Sequence, residues 1–188
     1  LVPLLENVEL LGSIELFLKP QKESFVERAR PGIERTMWGL FSYDINTVIN
    51  STKTLIGLGP GLTPSCDDFL AGLILSMNIG NEVLKNIGHD DERFFIEVAK
   101  NIYENARGQT TVFSLNMLRE ACEGVCPLAV INLIYSLITK DPNEVANDSK
   151  TLIKMGETSG ADLAIGIFYG IRFLISKLEN LEVEDGAA

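Results

Sequence analysis

Along most of the chain apolar positions recur three and four residues apart. Two-residue alternation is confined to ELLGSIELFLKP, which fits a short strand and a frayed helix equally well. Helical spacing runs from Gln21 to Arg30 and again from Gly32 to Phe41, with Pro31 as the break, and Asp44 is placed to cap INTVINSTKTLI. The stretch GLGPGLTPSCDD, Gly57 to Asp68, cannot continue a helix. It predicts a turn-rich loop that launches a helix over about 67–77, ended near Asn78 to Gly80. Asp90 can cap the next helix, whose Phe95, Val98 and Ile102 share a face and which stops at Arg107-Gly108. Thr110 or Thr111 can cap TTVFSLNMLREACEG, and LAVINLIYSLI, apolar on every side, is expected at the centre of the core. Asp141-Pro142 opens a polar helix to Met155, a last helix covers roughly Gly160 to Glu179, and residues 181–188 read as a disordered tail. The fold class is therefore mainly α: one compact bundle of about seven to nine helices over 1–188, with a short β segment near the N-terminus as the one exception to allow for.

Composition narrows the partners. At 188 residues and 46% apolar the chain can build a real core, while a net charge of −10 disfavours nucleic acid and anionic membrane surfaces. Small molecules and other protein subunits are the expected partners. Cys66, Cys122 and Cys126 lack scaffold spacing, so free thiols and a cytoplasmic setting are expected. The apolar runs near 69–80 and 163–176 are short or broken by Gly and Arg172, which predicts no membrane span. A start at Leu1 suggests the C-terminal part of a longer gene product.

One arrangement occurs twice. Ser65, Asp68, Gly72 and Ser76 have the spacing of Ser159, Asp162, Gly166 and Gly170, 94 residues apart throughout, with Thr63 and Thr158 just upstream. A Ser-x-x-Asp start is by itself an ordinary helix cap. The interior glycines change the picture, because each costs about 1 kcal/mol relative to Ala and so implies a close crossing that offsets the loss. A crossing at Gly72 and Gly166 would bring both polar helix starts to one place, gathering Thr63, Ser65, Asp67, Asp68, Ser159 and Asp162 into one shared site.

Helix starts and glycine loops favour anions, but the carboxylates oppose one. Their repulsion of a unit charge about 5 Å away is roughly 3 kcal/mol at an effective dielectric of 20, against about 0.3–1 kcal/mol from a helix dipole. Anion binding would then need Mg²⁺ held by Asp67, Asp68 or Asp162, an arginine such as Arg107 or Arg119, or a basic group from a partner subunit. An amide or ammonium group could instead be accepted directly. The GLGPG loop lacks the Lys of a phosphate loop, His89 in GHDD reads best as a solvent-exposed helix start, and Cys66 has acidic neighbours that oppose thiolate formation.

GLGPGLTPSCDDFLAG, TTVFSLNMLREACEG and GETSGADLAIG, in that order, resemble the AllH-like family, from about residue 50 to 172. That family includes a subunit of oxamate carbamoyltransferase, which moves a carbamoyl group between phosphate and oxamate in allantoin catabolism. The resemblance implies substrate-binding roles for Gly59, Gly61, Thr63 and Ser65, for Thr110, Thr111 and Ser114, and for Thr158, Ser159 and Gly160, with Asp67, Asp68 and Asp162 as the catalytic carboxylates. The substrate would be a carbamoyl group, phosphate, or a small carboxylate or amide. The alternative is a non-catalytic assembly or ligand-sensing subunit whose caps only hold helices.

Overall fold

The centre of the molecule is the run FLAGLILSM. Every residue from Phe69 to Met77 is buried, and the larger side chains there each contribute about 1.5–3 kcal/mol relative to exposure. The computed structural model describes residues 25–86, 92–139 and 142–185, and among them it holds eight α-helices and no strand. They are α1 (Phe25–Phe41), α2 (Ile45–Thr52), α3 (Ser65–Asn86), α4 (Glu92–Ala106), α5 (Val112–Cys122), α6 (Leu128–Thr139), α7 (Pro142–Ile153) and α8 (Ser159–Asp185). The weakly alternating N-terminal stretch, His89, Asp90 and Asp141 lie outside the described residues.

Helix α3 is wrapped by α8, α5 and α4, while α1 pairs with α2 and α6 pairs with α7. An aromatic cluster ties the α1–α2 connection to α4 and α8: Tyr43 lies 4.8 Å from Phe94, and Phe173 packs edge-on to Phe41 and Phe95 at 5.8 and 6.0 Å. Asp44 caps α2 by accepting from Asn46 N and Thr47 N, both at 3.1 Å. Replacing it with Ala should cost about 1 kcal/mol in denaturant unfolding, and an unchanged midpoint would show that the α1–α2 pairing holds the turn without the cap.

Four expectations are corrected. Pro31 does not end a helix but sits inside α1, on its exposed side, where the carbonyl it leaves without a helical donor faces water and Gly32 on the buried side packs against Leu55. Asn78 and Gly80 do not end α3. A Cβ on Gly80 would collide with Leu174, so this glycine serves a contact with α8, and Asn78 Nδ2 donates to Ala121 O at 2.9 Å. Helix α6 is not central: Leu128 is 70% and Tyr135 66% exposed, because the glycine-mediated approach of α8 already fills the space beside α3. Helix α8 runs on to Asp185, into the segment expected as a tail, and its part Ser159–Lys177 is long and apolar enough to cross a membrane by length and composition. With 61% of that part buried inside the protein, its apolarity is accounted for by packing.

Candidate functional site

The two Ser-Asp-Gly starts meet as their spacing predicts. A Cβ on Gly72 would strike Leu163 O and come within 3.0 Å of Ile167 N, and a Cβ on Gly166 would strike Phe69 O and reach Leu73 N at 2.9 Å. One turn further along, Gly170 leaves room for the Ser76 hydroxyl. Backbone thus lies against backbone, and the first turns of α3 and α8 share one neighbourhood. Thr63 Oγ1 and Ser159 Oγ bond across it at 3.0 Å.

The carboxylates at this junction are closed off from water. Asp67 and Asp68 are fully buried and Asp162 is 4% exposed, with Ser65 buried beside them. Asp68 Oδ2 accepts from Thr63 Oγ1 at 3.1 Å, but its Oδ1, like Asp162 Oδ2, accepts no hydrogen bond. Burial pushes the Asp68 carboxyl up to about 7; the nearby hydroxyls of Ser159 and Thr63 pull it down, and the charges of Asp162 and Asp67 push it up again. Burial likewise raises Asp162 to about 6, opposed by Ser65 and Thr158. The hydroxyls that favour ionisation therefore come partly from the opposite helix, Ser159 acting on Asp68 and Ser65 on Asp162. The starts are crossed rather than self-contained caps. Both carboxyls are thus held above the ordinary range, chiefly by burial, and Asp68 is the higher of the two.

Asp67 does something different. Its Oδ1 accepts from Gly57 N at 2.8 Å and its Oδ2 accepts from the Thr110 hydroxyl. With both oxygens bonded to donors, it clips the glycine loop to the start of α5. Gly57 is required there, because at its φ of +72 a Cβ would lie 2.5 Å from Gln109 O. At Gly59, φ +118, a Cβ would lie 2.8 Å from Ser65 N, while Gly61 is exposed at φ +100. Thr111, rather than Thr110, caps α5: its Oγ1 accepts from Ser114 N at 3.1 Å and donates to Leu62 O at 2.7 Å. Ser114 Oγ is buried without a partner. Thr158 contributes its carbonyl, which accepts from Ala161 N and Asp162 N at 2.9 and 3.0 Å. Gly160 faces α7, where a Cβ would collide with Leu152 O.

The suggested counter-charges lie elsewhere. Arg107 pairs with Glu104 at 3.2 Å and Arg119 with Glu123 at 3.3 Å, both on the surface. Among the described residues no group of three or more His, Cys, Asp or Glu could hold a metal ion. The Cys66 thiol is pushed up to about 12 by burial and by the charges of Asp67 and Asp162, which leaves it a packing residue rather than a nucleophile. Cys122 and Cys126 are not one helical turn apart, since α5 ends at Cys122 and Gly124 takes φ +73. The sequence reading missed Gly57 N–H as the partner of Asp67 and Leu62 O as the partner of Thr111. The glycine content of the loop signals its turns but not what it packs against.

No solved structure matches the chain. Residues 55–171, which hold the glycine loop, the Thr110–Ser114 segment and both crossed helix starts, match the family described as "Oxamate carbamoyltransferase subunit AllH", and the chain belongs to that family.

Proposed function

We propose that the chain supplies the acid–base centre of a carbamoyl-transfer site in an oxamate carbamoyltransferase, with other subunits completing the site. The observation that carries this reading is the pair of buried carboxylate oxygens without a hydrogen-bond partner, Asp68 Oδ1 and Asp162 Oδ2, in the first turns of the two crossing helices. A buried acceptor without a donor costs about 1–3 kcal/mol, a penalty that a substrate N–H would relieve. Carbamoyl chemistry presents such an N–H. Moving a carbamoyl group on or off an amide nitrogen requires a proton to leave or reach that nitrogen, and a carboxyl that titrates near 7 is suited to the transfer. Thr63, Ser65 and Ser159 would orient the amide, Asp67 with Thr110 would hold the loop, and Asp68 and Asp162 would share the proton.

A second reading is favoured by the burial itself. Closed carboxylates and crossed hydroxyls are also what a structural lock between α3 and α8 would use, in a subunit that only assembles or senses. Turnover of the reconstituted complex separates the two. Asp68→Asn and Asp162→Asn should each lower kcat about 100-fold or more, as loss of a general acid–base does, with subunit assembly intact. Turnover near that of the unmodified complex from either correctly assembled variant would sink the catalytic reading and leave the lock.

A further inference from the structure

A groove of about 380 Å³ lies between α1 and α2, away from the acid pair. Its walls are two helical stripes. Arg28, Pro31, Gly32 and Arg35 stand at i, i+3, i+4 and i+7 on α1, and Thr47, Asn50, Ser51 and Thr54 repeat that spacing along α2 and the turn after it. No acidic residue lines it, in a chain whose net charge is −10. The acids of α1 fall on another stripe: Glu27 and Glu34 are three and four residues from Arg30, whereas Arg28 and Arg35 have no acid at either spacing on the helix. Neither Arg28 nor Arg35 is in an ion pair among the described residues.

The remaining donors and acceptors at the groove are mostly accounted for. Thr47 Oγ1 donates to Asp44 Oδ2 at 2.6 Å, Thr54 Oγ1 donates to Ser51 O at 2.7 Å, and the Ser51 hydroxyl is bonded to Thr36 Oγ1 at 2.8 Å beneath the groove. The exposed polar groups left uncommitted are the two guanidiniums and the Asn50 side chain. Glu27 and Glu34 adjoin the two arginines in sequence but do not line the groove, and the charge of Asp44, at the start of α2, is already stabilised by the hydroxyl and backbone of Thr47 and by Asn46 N. Arginines seven residues apart stand about 10.5 Å apart along the axis, within converging reach of one small ligand through their long side chains. Their planar forks match paired oxygens of a phosphate or carboxylate.

We propose that the α1–α2 groove binds a small, multiply charged oxyanion, held between Arg28 and Arg35 with Asn50 as a third donor. The chemistry common to the possible ligands is two or more negatively charged oxygens, carried by a phosphate group or by two carboxylates. The inference does not use Asp68 or Asp162 and stands or falls separately from the carbamoyl-transfer reading.

Calorimetric titration of the full chain with inorganic phosphate, and separately with malonate, in chloride of matched ionic strength, tests it. Saturable one-site binding is expected for at least one of the two, and the stronger of them identifies the source of the charge. Arg28→Ala and Arg35→Ala should each weaken binding about tenfold or more, equivalent to about 1.4 kcal/mol, while Arg30→Ala on the acid-flanked stripe should leave it unchanged. All three positions are exposed, and circular dichroism of the variants verifies that the helices persist. Two outcomes overturn the proposal: neither anion binds saturably, or Arg30→Ala weakens binding as much as the groove variants do, which would indicate diffuse charge attraction.

Discussion

Gly166→Ala should destabilise the protein by about 3 kcal/mol, reversing the gain of up to about 1 kcal/mol that the same change brings in an unobstructed helix. The added carbon has no direction in which to relax. Phe69 O stands in its place and Leu73 N lies 2.9 Å away, and both belong to the backbone of a helix that is itself buried on all sides. A flexible side chain could rotate aside, but two helix backbones must separate, opening voids along Phe69, Leu73 and Ile167. Gly72→Ala meets Leu163 O and should behave alike. Gly124→Ala is the control, because no atom lies within 4 Å of its Cβ position and only the strain of φ +73 opposes it, a cost of about 1 kcal/mol. Urea unfolding of the three variants checks the order. Equal losses at Gly166 and Gly124 would mean that α8 can draw back from α3 at little cost.

Acidification from about pH 8 to about pH 5.5 should stabilise the protein by roughly 2–3 kcal/mol, the opposite of the usual acid lability of proteins rich in paired carboxylates. The sign follows from the direction of the shifts. Asp68 and Asp162 have folded-state values of about 7 and about 6, above the 3.8 of an ordinary aspartate, so within this window the folded chain binds protons that the unfolded chain does not. Stability is then greatest below the unfolded value and is lost as pH rises through 6 and 7. Asp68→Asn removes the larger contribution, so it should flatten the profile and raise stability at pH 8. Denaturant midpoints across the range measure both effects, and stability that stays level or falls on acidification would mean that the pair is already ionised at neutral pH. The variant separates the pair from any other group titrating in the window.

What could be read from the sequence was local or repeated. The Asp44 cap shows itself by a short acidic residue ahead of an apolar-periodic run, and the crossing of α3 and α8 by glycines at the same place in two like starts. Both signals are physical: a cap satisfies N–H groups two and three residues away, and an interior glycine needs a reason. The partner of Asp67 left no such trace, because Thr110 lies 43 positions away and any donor would serve. Gly80 was misread for a related cause. A glycine that ends a helix and one that admits Leu174 look alike until the neighbour is known. Helix α6 shows that composition sets how much apolar surface a helix has, whereas its neighbours decide how much of that surface is covered; α8 lies along α3, and Leu128 and Tyr135 remain exposed.

The hydroxyl contact between Thr63 and Ser159 spans 96 positions. Closing a loop of that length costs roughly 4 kcal/mol of chain entropy, and α4 to α7 must be gathered before the cost is recovered. The junction is therefore a late event in folding, in a bundle whose remaining helix pairs are mostly sequence neighbours. On the ribosome, α3 emerges with its glycine face bare and stays so until α8 follows. A chain cut short before Ser159 would present that face to proteases and to other chains, so the acid centre marks a molecule whose synthesis has passed through α8.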